Sequence, residues 1–193
     1  MKHLKTIAFV IIVAFFFNTL TAQNRWSAEF RPGIYFPTKS VGMVKLKTGF
    51  GFEVALSYKV MQHLNTYVGW GFNTFQTADD TLKIEFDLTG YTFGFHFIHP
   101  ISKDSKLSYL MRAGVIYSHI KIENINGNII QDTNHGIGYE FGTGLDFILG
   151  SNGWSLRPQV GYRALSRDLE LLNTKTKVDL NYIVFALGVS KQF

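Results

Sequence analysis

Residues 23–193 of this 193-residue chain read as an all-β domain, an eight-stranded antiparallel up-and-down transmembrane β-barrel. Three features lead there. Apolar residues alternate with period two in almost every window, as in a strand whose two faces meet different surroundings. The alternate positions hold glycine and charge. Charged residues make up 17% of the chain and aromatics 16%, against about 25% charged in average soluble domains, so part of the surface faces something other than water. With 46% apolar residues and no cysteine, the composition excludes both disorder and a disulfide scaffold.

Residues 1–22 have the three-part layout of a secretory signal peptide: Lys2, His3 and Lys5, then the apolar stretch Ile7 to Phe17, then the small polar exit Asn18 to Ala22 before Gln23. The apolar stretch is 11 residues long, whereas a spanning helix needs roughly 20. Removing Lys2 and Lys5 with this leader lowers the formal charge from +5 to +3 and leaves no basic cluster, so nucleic acid is not an expected partner. No later window reaches 18 consecutive apolar residues, so a membrane crossing has to be made by strands.

The first strand, Trp26 to Phe36, sets Trp26, Ala28, Phe30, Ile34 and Phe36 against Ser27, Glu29, Arg31, Gly33 and Tyr35. The second, Gly49 to Val60, is the cleanest, with Phe50, Phe52, Val54, Leu56 and Tyr58 opposed to Gly49, Gly51, Glu53, Ala55 and Ser57. The third, Thr66 to Phe75, sets Val68, Trp70 and Phe72 against Tyr67, Gly69, Gly71 and Asn73. In the fourth, Lys83 to Phe97, the apolar parity changes between Leu88 and Tyr91, and a β-bulge at Thr89-Gly90 is expected to reconcile the two halves. The fifth runs from Leu107 to His119, the sixth from Gly136 to Ile148, the seventh from Trp154 to Leu165 and the last from Val178 to Phe193, each alternating in the same way.

Connections alternate between long and short. Pro37 to Thr48, Gln76 to Leu82, Ile120 to His135 and Ser166 to Lys177 are mostly long and polar, while Met61 to Asn65, Ile98 to Lys106 and Leu149 to Gly153 are shorter. Outer-membrane barrels show this asymmetry, with long outer loops and short periplasmic turns. The loops Ile120 to His135 and Ser166 to Lys177 are the expected outward contacts.

Alternation alone does not distinguish a membrane barrel from its inside-out soluble counterpart, but residue type does. Glycines facing water would weaken strands for no packing return. Facing a narrow lumen, they make room for long side chains that an eight-stranded interior can only just hold. The expected lumen charge network is therefore Glu29, Arg31, Glu53, Arg112, Glu140, Asp146, Arg157 and Arg163, near neutral and connected, because buried charge is costly unless paired. The apolar register sorts its aromatics by height: Trp26, Trp154, Tyr58, Phe97, Tyr109 and Phe193 at one end, Phe36, Tyr117, Tyr139 and Tyr162 toward the other. Such girdles flank the apolar band of membrane barrels.

The last strand carries Phe185, Leu187, Val189 and Phe193 on one parity. This resembles the C-terminal assembly signal of bacterial outer-membrane proteins, with Lys191 a departure from its usual apolar residue. With the leader and eight strands, the chain resembles small outer-membrane barrels of the PorT-like, "outer membrane protein beta-barrel" family of Bacteroidetes, with an architecture similar to the OmpA transmembrane domain and OmpX. The resemblance implies a monomer in the cell outer membrane. Its implied partners are outer-membrane lipid and lipopolysaccharide, and the barrel-assembly machinery during insertion.

No catalytic constellation, metal site or cofactor is expected. Small barrels that modify lipid A pair a His with a hydroxyl or carboxylate. Here Ser118 and His119 are adjacent and so face opposite sides of a strand, His96 sits on the inward parity between Phe95 and Phe97, and His135 lies beside the third loop. Asp79-Asp80 is a solvated loop tip, and Gly142-Thr143-Gly144 is strand rather than a phosphate cradle. The expected function is a structural or surface-interaction role with a plugged lumen. A passive channel for small solutes and a lipid A-modifying enzyme are the alternatives.

Overall fold

In a computed structural model of the protein, the described residues are 25–41, 44–79, 84–102, 105–124, 127–171 and 174–193, with backbone alone over 168–177. The expected leader, residues 1–22, lies outside them. The strands are β1 (Trp26–Pro37), β2 (Gly49–Lys59), β3 (Leu64–Gln76), β4 (Ile84–Pro100), β5 (Leu107–Asn124), β6 (Ile129–Asp132), β7 (Gly136–Leu149), β8 (Trp154–Leu171) and β9 (Thr174–Gln192). All but β6 are staves of one antiparallel barrel, closed by the β1–β9 and β4–β5 pairings. The short β6 lies along the far end of β5.

Register fixes the shape of the barrel. A row of lateral partners leaving Glu29 passes through Ala55, Gly69, Thr92, Ile116, Gly138 and Leu165 to Leu180, yet Glu29 itself pairs with Ser190 on the closing strand. The offset from Leu180 to Ser190 obliges the strands to lean by about 40°, inside the range of closed barrels.

The apolar register faces outward. Phe141 is 63% exposed and Phe50 60%, whereas Glu53 on the other register is 1% exposed. At the rim where Arg25 and Phe193 meet, here the proximal rim, Trp26 packs on Tyr58 with ring centroids 4.9 Å apart. From Trp154 to Tyr162 on β8 the outward run covers about 20 Å of axial height at roughly 3.3 Å per residue, close to the ~25 Å band of outer-membrane barrels.

The bulge expected at Thr89-Gly90 is absent. Pairing across β4 is unbroken on both sides, from Leu64 opposite Phe97 to Gln76 opposite Glu85, and from Ile84 opposite Asn124 to Pro100 opposite Ser108. What changes there is the surroundings. On the proximal side Tyr91, Phe93 and Phe95 face out, and beyond Gly90 Phe86 and Leu88 face in and are buried. The inversion recurs in β5 at Ile120, in β8 at Leu165, and in β9 at Val178 and Leu180. A strand that leaves an apolar medium for water has to turn its greasy residues inward without breaking its pleat.

Those inward residues form an apolar plug in the distal part of the barrel. Tyr182 and Phe75 are fully buried, their rings 5.3 Å apart, and Tyr35 stands edge-on to Tyr182 at 5.5 Å. Ile116, Ile120 and Leu180 belong to the same cluster. The segments expected as the third and fourth loops are correspondingly strand-rich: β5 runs on to Asn124 and pairs with β6, and β8 and β9 stay paired up to Leu171 opposite Thr174. The inverted alternation hid this, because the apolar parity there is opposite to that of the outward belt.

Candidate functional site: the lumen

The eight expected lumen charges project from five staves: Glu29 and Arg31 from β1, Glu53 from β2, Arg112 from β5, Glu140 and Asp146 from β7, Arg157 and Arg163 from β8. All are buried, and four carboxylates face four guanidiniums. They form two clusters joined through Arg31.

In the distal cluster Glu140 and Glu53 are each held by three guanidiniums. Arg112 Nε donates to Glu140 Oε1 at 2.7 Å and its Nη2 to Glu53 Oε1. Arg163 Nε donates to Glu140 Oε2 at 2.8 Å and its Nη2 to Glu53 Oε2 at 2.5 Å. Arg31 Nη2 lies 3.1 Å from Glu53 Oε1 and 3.7 Å from Glu140 Oε2. In the proximal cluster Arg157 donates to Asp146 Oδ1 at 2.6 Å and to Glu29 Oε2 at 2.8 Å. Gln159 bridges the two, donating to Glu29 Oε1 at 2.7 Å and accepting from Arg31 Nη1 at 3.1 Å.

Three members of the network are neutral and were not among the expected charges. Tyr67 donates its hydroxyl hydrogen to Glu140 Oε1 and lies flat beneath the Arg112 guanidinium at 3.9 Å. His96 accepts from Arg112 Nη1 at 3.1 Å and stacks on Tyr67 with centroids 4.4 Å apart. Gln159 is the third. All three stand on the inward parity, and that position was their only signal.

Glycine provides the space. A Cβ at Gly114 would strike the Tyr67 hydroxyl, one at Gly94 would lie 2.7 Å from it, and one at Gly188 would lie 2.5 Å from Glu29 Oε1. The remaining free volume beside Arg31, Arg112, Glu140 and Gln159 is about 10 Å³, room for about one water. At the proximal mouth a cavity of about 350 Å³ is lined by Ser27, Lys59, Ser108, Ser155, Arg157 and Ser190. This interior can hold charge rigidly.

Of the residues weighed for catalysis, Ser118 and His96 face the lumen, while His119 and His135 lie together elsewhere. Ser118 faces inward, its Oγ accepting from Arg167 Nη2 at 2.7 Å. His119 is on the outer wall, with Nδ1 2.7 Å from Asp132 Oδ1 and its ring stacked 4.5 Å from that of His135. His96 is committed to Arg112. Among the described residues, no group of three or more His, Cys, Asp or Glu is placed to hold a metal ion.

Phe185, Leu187, Val189 and Phe193 lie exposed on the outer face of the closing stave. Phe193 is locked to β1, its N–H donating to the Trp26 carbonyl at 2.9 Å and its carbonyl accepting from Trp26 N–H at 3.2 Å. Lys191 bends to the rim, where its ammonium reaches the Asn152 carbonyl and lies 5.3 Å from the Trp154 ring.

No protein-family model and no curated protein matches the sequence. Solved structures do resemble the fold. Neisserial surface protein A superposes with a TM-score of 0.61 at 11% identity, covering 89% of this chain and 98% of that one. The outer membrane protein OprG from Pseudomonas aeruginosa gives 0.59 at 14% identity, covering 88% and 96%. The outer membrane protein AlkL, determined in lipid bilayers, gives 0.57 at 19% identity, covering 89% and 90%. The shared property is the architecture, the closed eight-stranded barrel of outer-membrane proteins.

Proposed function

We propose that the protein is a monomeric integral protein of the bacterial outer membrane, exported by a cleaved leader, with a structural or surface-interaction role and a non-conducting lumen. The observation that carries this reading is the filled interior. A neutral, fully paired network occupies the barrel at the level of the apolar belt, and the Tyr35–Phe75–Tyr182 plug lies beyond it. The outward belt supports membrane residence, since so many exposed aromatic and aliphatic side chains in contact with water would promote aggregation. The β5–β6 and β8–β9 hairpins beyond the belt are the surfaces left for contact with other molecules.

Lipopolysaccharide is the proposed neighbour of the distal half of the belt. The strand ending in Phe193 is the proposed handle for the barrel-assembly machinery. Assignment to the PorT-like family stands on periodicity alone, since no family model matches.

Three measurements test the reading. Membrane fractionation is expected to place the native protein in the outer-membrane fraction, and recovery from the soluble periplasm would refute residence. Purified barrel in a planar bilayer is expected to be electrically silent, and steady single-channel steps would replace the structural role with transport. Identical lipid A acyl patterns with and without the protein are expected, and a changed pattern would revive the enzyme alternative.

A further inference from the structure

Two of the eight seams in the barrel wall are interrupted, and each interruption falls at an Arg-Pro step. Between β1 and β9, pairing runs from Ser27 to Phe30 and resumes at Gly33, skipping Arg31 and Pro32 opposite Leu187 and Gly188. Between β7 and β8, pairing stops at Gly144 opposite Gln159 and resumes at Phe147 opposite Leu156, skipping Arg157 and Pro158. Proline has no N–H, so each step removes a ladder donor, and in an apolar solvent nothing replaces it. The β8–β9 pairing between these seams is continuous from Trp154 opposite Lys191 to Leu171 opposite Thr174.

The proximal ion cluster spans both gaps. Arg157 bonds Asp146 across the β7–β8 interruption. Arg157 and Gln159 reach over β9 to Glu29, and Arg31 reaches back to Gln159 across the β1–β9 interruption. That reach passes Gly188, where a Cβ would lie 2.5 Å from Glu29 Oε1 and 3.1 Å from Gln159 Nε2. Side chains thus carry the cohesion that the backbone lacks.

We propose that the proximal foot of the β8–β9 pair is a strap that swings out from β1 below Pro32, with the Glu29–Gln159–Arg157–Asp146 cluster as its latch. Below the gap a short stretch binds the foot to β1, Ser27 to Phe30 and the Trp26–Phe193 pair at the rim, and the β7–β8 gap lets the paired strands bend as a unit. Ser155, Arg157 and Ser190 also line the 350 Å³ proximal cavity, so opening the strap joins that cavity sideways to the membrane.

Amide hydrogen exchange of the full chain in lipid nanodiscs tests this. In the wild type, amides of Val189, Phe30 and Leu156 are expected to exchange about tenfold or more faster than those of Val54, Leu56 and Val68, at the uninterrupted β2–β3 seam. Glu29→Gln with Asp146→Asn should accelerate the foot further and leave β2–β3 unchanged. The double variant Pro32→Ala, Pro158→Ala, which returns both donors, should slow the foot to the β2–β3 rate. Equal wild-type rates at the two seams, equal acceleration of both by the carboxylate variants, or no slowing on restoring the donors would each overturn the strap.

Discussion

Arg112 and Glu140 meet across the β5–β7 seam, with Arg112 Nε 2.7 Å from Glu140 Oε1, while Tyr67 donates to that same oxygen and carries the Arg112 guanidinium on its ring. One carboxylate therefore anchors three staves. Arg163 adds a fourth through the other oxygen, at 2.8 Å.

Glu140→Gln leaves Arg112 and Arg163 facing a neutral amide. Breaking a buried pair by removing one partner costs about 3–5 kcal/mol, so the urea unfolding midpoint of the refolded barrel should fall by a corresponding amount. Arg157→Leu should behave alike, since it strands Glu29 and Asp146. Midpoints equal to the wild type for both would show that the network contributes no stability.

Gly114→Val tests whether glycine is present to admit the network. Its Cβ would meet the Tyr67 hydroxyl, and overpacking of this kind costs about 1–3 kcal/mol. Combining it with Tyr67→Phe, which removes the obstructing oxygen and its bond to Glu140, should cost less than the sum of the two single changes. Additive losses would separate the glycine from the tyrosine.

The inward register is legible in the sequence because glycine and charge share one parity in β1, β2, β5, β7 and β8, a combination that a narrow lumen rewards. The distal half is not legible on the same rule. At Phe86, Leu88, Ile120 and Leu180 the greasy parity is the inward one, and a rule that assumes one solvent along each strand reads the change as a slipped pleat. The two wall interruptions are visible as Pro32 and Pro158, but their meaning depends on which neighbour each missing N–H would have faced. Only the register supplies that.

The boundary between the two solvents makes a prediction within one strand. Phe93 and Thr89 lie on the same outward parity of β4, on opposite sides of Tyr91. Arginine costs about 2–4 kcal/mol at the middle of the lipid-facing band and about 0–1 kcal/mol near its edge. Phe93→Arg should therefore lower folding efficiency into lipid vesicles sharply, and Thr89→Arg should leave it nearly unchanged. Equal losses would put the edge of the band beyond Thr89 and return the parity change to a backbone irregularity.

Arg167 makes the last prediction, because it is a buried cation bonded to carbonyls and a hydroxyl. Its Nε donates to the Ser118 carbonyl at 2.8 Å, Nη2 to Ser118 Oγ at 2.7 Å, and Nη1 to the carbonyls of Ile137 at 3.0 Å and Ser166 at 2.7 Å. These bonds tie β8 to β5 and β7 just past the point where β7–β8 pairing ends, at Gly138 opposite Leu165. Hydrogen bonds from a charged donor contribute about 1.5–3 kcal/mol each when their loss leaves partners bare, so Arg167→Ala should loosen the distal wall. Trypsin added to intact vesicles should then cut the β8–β9 hairpin faster, while β2 and β3 stay protected. Arg167→Lys should not restore protection, because a compact ammonium cannot reproduce a planar fork aimed at two strands. Full rescue by lysine would reduce the requirement at this position to positive charge alone.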